Sequence, residues 1–225
     1  MNLLNRAERI AANTAQASQK SAEAANKSAE AANKAAEAAI AGNNLNRAIF
    51  IASQRPWVYA DVTVVGPWKY DVNGANITLL FVLKNIGRSP ALRVSVHPEI
   101  YAIALGVDKT TDPIGKQREI CDRVKKRPYM TYDLSDTIFP ETSVEMRITI
   151  GIGKDEIARL TKEIEFIVPQ IIGCVDYTFV YEQEHHQTGF LFDIISLKGP
   201  FSAKTGDIPP DQLVLRPFFS GTFAD

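Results

Sequence analysis

Two hydrophobic patterns divide the chain. Within an alanine-dense stretch from residue 6 to residue 41, alanines recur at alternating steps of three and four from Ala22 to Ala39, a register that residues 4–18 continue imperfectly, whereas from Trp57 onward β-branched and aromatic residues alternate with polar ones in short runs. The first spacing is that of a helix stripe and the second that of strands. The helical part carries a seven-residue repeat, KSAEAAN at 20–26, KSAEAAN at 27–33 and KAAEAAI at 34–40. Alanine is the strongest helix former, with Glu and Lys close behind, so the composition alone predicts a helix over 6–41.

Within that helix Ala22, Ala25, Ala29, Ala32, Ala36 and Ala39 fall on one stripe with coiled-coil period, a candidate oligomer seam. A second stripe of small residues, from Ser21 through Ala24 and Ser28 to Ala38, has the same spacing, so the number of helices in an assembly is open. Glu23 precedes Lys27 by four residues and Glu30 precedes Lys34 likewise, the favourable order for ion pairs along a helix. Alanine buries little area, about 25 cal/mol per Å² of it, and large apolar residues occur only towards the two ends. A monomeric semi-rigid spacer is therefore the competing reading. Gly42, Asn43 and Asn44 are expected to weaken the helix, residues 45–54 to resume it, and Pro56 to end it.

The alternating runs predict strands at about 57–65, 76–84, 91–97, 142–150, 164–168, 172–182, 187–197 and 212–218, with a turn at Asn73-Gly74. Two inserts read as helices, 112–127 and 153–161; in the first, Ile114, Ile120, Cys121 and Val124 are placed to face the body. The expected fold class is mainly β: an antiparallel immunoglobulin-like sandwich over 55–225 with helical inserts, preceded by an alanine-rich helical stalk over 1–54.

Charge and chemistry narrow the function. The formal net charge is −1, from 25 basic and 26 acidic residues, which gives no general field for nucleic acid. Cys121 and Cys174 have no close-spaced partner and read as reduced structural thiols. No apolar run reaches the length of a bilayer span, so a cytoplasmic chain is expected, with membrane attachment only through another protein. His185-His186, beside Glu182 and Glu184, is the one cluster with metal-ligand chemistry. Adjacent strand residues point to opposite faces, so an exposed hairpin is the preferred reading and no metal is assigned. Gly151-Ile152-Gly153-Lys154 lacks the first glycine and the hydroxyl residue of a phosphate loop. Arg123-Val124-Lys125-Lys126-Arg127 reads as cations at a helix end. No catalytic residue and no cofactor is assigned.

The sequence also resembles a group of mostly uncharacterised bacterial proteins in which an alanine-rich stalk runs into a β-sandwich. The resemblance rests on Arg55-Pro56-Trp57-Val58, on Asn85-Ile86-Gly87-Arg88-Ser89-Pro90-Ala91, on Phe139-Pro140-Glu141, on Gly173, Val175 and Tyr177 with His186, Thr188 and Phe190, and on Ala224-Asp225. Members are often anchored by an N-terminal membrane helix that has no counterpart here. A longer, acidic loop is expected where Glu182-Gln183-Glu184 replaces their usual glycine. Asn85, Gly87 and Pro90 are the candidate structural turn, glycine permitting close approach and proline fixing the re-entry angle. The repeat alone resembles phage tail-fibre stalks, which are trimeric. Together these features predict a non-enzymatic structural or interaction protein that self-associates through its helix, with a fibre or adhesion component, or an enzyme with an unrecognised site, as alternatives.

Overall fold

The computed structural model describes residues 3–104, 112–127, 136–162, 166–202, 206–218 and 222–224. It divides into two compact units, Met1–Ser53 and Gln54–Asp225. Residues 164 and 165 of the expected strand at 164–168, and Asp225, lie outside the described residues.

The first unit is a single helix, α1, Leu3–Gln54. Its 52 residues give an axial length of about 78 Å at 1.5 Å per residue. The expected weakening at Gly42-Asn43-Asn44 does not occur: helical geometry runs through all three. A glycine inside a helix costs only about 1 kcal/mol relative to alanine, which the strong helix formers on both sides outweigh.

The second unit is built from antiparallel sheets. One sheet is centred on β3 (Gly74–Asn85), which pairs along one edge with β1 (Val58–Val64) and β2 (Lys69–Asp71) and along the other with β6 (Ser143–Gly153). Gly74, at a φ of 142°, carries the tight turn from β2 into β3. The other sheet runs from β5 (Asp136–Ile138) through β4 (Ala91–Ala104) and β7 (Ile167–Phe179) to β8 (Glu182–Ser196), whose free edge takes β9 (Leu213–Pro217) and β10 (Phe223–Ala224). The alternating inner residues of both sheets form one core, with Ile77, Leu79 and Phe81 of β3 in the same cluster as Ile171, Val175 and Tyr177 of β7. Trp68 lies fully buried in this core.

The opposite face of the second sheet is covered by α2 (Pro113–Lys125), which starts at Asp112, whose carboxylate accepts from the Gly115 N–H at 2.8 Å. Ile120 packs with Ile172 and Leu191, and Cys121 and Val124 pack with Cys174. A short helix, α3 (Lys154–Leu160), follows β6 and buries Ile157.

Three expectations are corrected. The two strands expected at 164–168 and 172–182 are, over their described residues up to Phe179, a single strand, β7, which passes through Pro169 opposite Ala102. The strand expected at 91–97 continues through Pro98 to Ala104. The acidic stretch Glu182-Gln183-Glu184 is part of β8, and the turn is the two-residue step Val180-Tyr181, so no longer loop is formed.

Candidate functional site

The surface of α1 is uncovered over most of its length. Every side chain from Arg6 to Phe50 is exposed, among them Ala22, Ala25, Ala29, Ala32, Ala36 and Ala39. The large apolar residues Ile10, Ile40, Leu45, Ile49 and Phe50 are 49–62% exposed. Fully burying one Leu or Ile is worth roughly 1.5–3 kcal/mol, whereas an alanine contributes far less, so the end residues would dominate any gain from covering this helix. Glu23 takes its hydrogen bond from Gln19 at 3.2 Å, an exposed contact of small energetic weight.

The candidate turn Asn85, Gly87 and Pro90 is brought together, and its role is structural. Asn85 is fully buried, and its amide is engaged on both sides. Its Oδ1 accepts from the N–H groups of Gly87 at 2.9 Å and Trp57 at 3.2 Å, and its Nδ2 donates to the carbonyls of Ser89 at 2.7 Å and Ile138 at 3.0 Å. One side chain thereby ties the start of β1, the turn after β3 and the end of β5. The Ile86 N–H donates to the Trp57 carbonyl at 2.8 Å, and the Tyr177 hydroxyl reaches the Pro56 carbonyl at 3.4 Å. The Arg55 guanidinium lies over the Trp57 ring, 4.6 Å from its centroid. Pro90 is half-buried and feeds the chain into β4.

His185 and His186 point to opposite faces, and neither sits in an exposed hairpin, which corrects the expectation. His186 is buried on the core side against Tyr177 and Phe179, with Nε2 3.2 Å from the Glu182 carboxylate. His185 lies on the α2 side, where its Nδ1 is 2.7 Å from Asp176. The displaced turn explains both: with 182–186 in a strand, alternate residues must enter the two packed faces. Among the described residues no three His, Cys, Asp or Glu side chains are grouped to hold a metal ion.

Sequence reasoning missed a polar layer beneath α2. Asp176 is buried and accepts from Gln187 Nε2 at 2.9 Å, which also donates to the Cys121 carbonyl at 3.0 Å. Gln117, buried on the inward face of α2, donates to the carbonyls of Gly173 at 3.2 Å and Phe190 at 2.7 Å. The signal for Gln117 was its register, three residues after Ile114 and three before Ile120. These amides hold helix to sheet; they also line an open cleft of about 350 Å³ with Ile114, Cys121 and Phe223.

The remaining candidates have structural settings. Gly153 caps α3 with no side-chain bond, and Arg123 of the basic stretch pairs with Glu99 at 3.2 Å. Lys116 hydrogen-bonds the Glu119 carboxylate at 2.9 Å and holds its pKa below the usual carboxylate value. No helix among the described residues is long and apolar enough to cross a membrane.

No family model, no curated protein and no solved structure matches this chain. The functional reading therefore rests on geometry.

Proposed function

We propose that this chain is a non-enzymatic structural or interaction protein whose N-terminal helix joins copies of a β-rich domain into a homo-oligomer. The observation that supports the reading is α1 itself: 52 continuous helical residues with a seven-residue repeat and every described side chain from Arg6 to Phe50 exposed. An isolated helix gains most of its stability in water from packing an apolar face, and a repeat of seven supplies such a face to another helix of the same kind. For the second unit we propose an immunoglobulin-like sandwich, on the support of two antiparallel sheets with a common core. We also keep the proposed kinship with the stalk-and-sandwich bacterial group, supported by the way Asn85 binds both the Arg-Pro-Trp segment and the Asn-to-Pro turn.

The test is the mass of the full chain in solution. Light scattering across a concentration series should report an integral multiple of 24.8 kDa. A mass of one chain at every concentration would leave the helix as a spacer and remove the reading.

A further inference from the structure

We infer that copies of this chain associate as a parallel, in-register coiled coil, and that the seam is the stripe from Ala7 to Ala52 rather than the stripe of Ala22, Ala25, Ala29, Ala32, Ala36 and Ala39. The inference rests on the self-association proposed above and adds the face and the polarity.

Continuity of α1 through Gly42-Asn43-Asn44 decides the face, because it allows each stripe to be followed along the whole helix. From Ala7 the alternating steps of three and four land only on Ala, Ser, Thr, Gly, Leu or Ile as far as Ala52. They pass through Ile10 near one end and Leu45 and Ile49 near the other, all exposed at 58–62%. The rival stripe meets Glu8 on its way to the N-terminal end and both Asn43 and Asn46 on its way to the C-terminal end. A seam on that side would bury a carboxylate and two amides, while the large aliphatic side chains Leu45 and Ile49 stayed in water.

The lysines decide the polarity. Lys20, Lys27 and Lys34 recur at intervals of seven, each one residue before a seam position, so they form a single row along one edge. The other edge, one residue after the seam, carries Ala25, Ala32 and Ala39. In a coiled coil the residues on the two edges set orientation. An antiparallel pair would place each lysine row against the same row of its partner, like charge facing like charge. A parallel pair places the lysines beside the alanine edge, over which their alkyl stems can lie while the ammonium groups stay in water. The alanines of the rival stripe at 25, 32 and 39 thus become flanks.

Four full-length variants test this, with tryptophan emission, to which the buried Trp68 contributes, as a check that the β-rich unit stays folded. Leu45→Glu with Ile49→Glu should reduce the mass to 24.8 kDa. Ala29→Glu with Ala36→Glu, on the rival stripe, should leave the assembled mass unchanged. The milder pair Leu45→Ala with Ile49→Ala should shift half-association to higher concentration. Ala17→Cys, mildly oxidised, should cross-link between copies on a non-reducing gel, whereas wild type should not, since Cys121 and Cys174 are buried. Loss of assembly in the Ala29/Ala36 pair, with or without loss in the Leu45/Ile49 pair, or in neither glutamate pair, overturns the seam. An assembled Ala17→Cys chain that fails to cross-link overturns the parallel polarity. A monomeric wild type overturns the underlying reading instead, which keeps the two failures apart.

Discussion

Gly87 lies against Pro56 so closely that a Cβ on residue 87 would stand 2.5 Å from the Pro56 Cα. It would be equally close to the Arg55 carbonyl oxygen and the Trp57 nitrogen, so backbone surrounds it and no flexible side chain can yield. Gly87→Ala should therefore force the turn away from the start of β1. Overpacking of this kind costs roughly 1–3 kcal/mol, and at about 2–4 °C per kcal/mol for a unit of this size we expect a thermal midpoint lower by about 2–12 °C. An unchanged midpoint would mean that the turn is slack.

The same turn depends on the two directions of hydrogen bonding at Asn85. Asn85→Asp keeps the acceptor for the Trp57 and Gly87 N–H groups but removes both donors to Ser89 and Ile138, and it places a carboxylate oxygen against their carbonyls. We expect a loss of about 2 kcal/mol or more near neutral pH, the scale of a buried polar group left unpaired. Burial raises the folded pKa of the new carboxyl above its unfolded value of about 3.9. Its protonated form can again donate, so the destabilisation should grow as pH rises from 4 and ease below it. Denaturant melts at several pH values would show this, and a pH-independent loss would contradict it.

Much of the second unit is legible because most of its strands have one packed and one wet face. In β3 and β6 the alternation of large apolar with polar or smaller residues marks both the strand and the buried side, as Ile148 and Ile150 beside Arg147 and Thr149 illustrate. Strand β7 is packed on both faces, by the core on one and α2 on the other, so its run lacks alternation and Pro169 reads as a break. Pro98 hid the second half of β4 in the same way. The histidines were misplaced because the turn was expected between residues 182 and 187, whereas it lies at Val180-Tyr181, which puts both of them inside a strand and on its two opposite faces. Along α1 the period was plain, but which stripe makes the longer seam depended on whether three poor helix formers stop the helix, a matter of adding small propensities.

Tyr70 gives a pH prediction. Burial pushes its phenol pKa above the usual 10.0, partly offset by the Trp68 side chain. A raised pKa means that the folded state holds its proton more tightly than the unfolded chain. Stability from this source is present below pH 10 and is lost as pH rises from there through the folded pKa. Tyr70→Phe should show a shallower fall in stability between pH 10 and 11 than wild type, with little change at pH 7. Parallel curves for the two proteins over that range would exclude the phenol as the cause.

The last prediction concerns the independence of the second unit. All core residues that cluster between its sheets, from Val58 to Leu213, and all those beneath α2 come after Gln54. A fragment of 54–225 should therefore unfold in one cooperative step, with tryptophan emission shifting to the red at the transition as the buried Trp68 meets water. Cys121 and Cys174 supply a second readout, since both are buried at the contact of α2 with β7. In the fragment, as in the full chain, neither thiol should react with a thiol reagent before unfolding, and both should react once denaturant is added. Fast labelling of one or both thiols in native buffer, together with a broad non-cooperative melt, would show that packing around α2 needs the first unit, and the division at residue 54 would cease to be a boundary of folding.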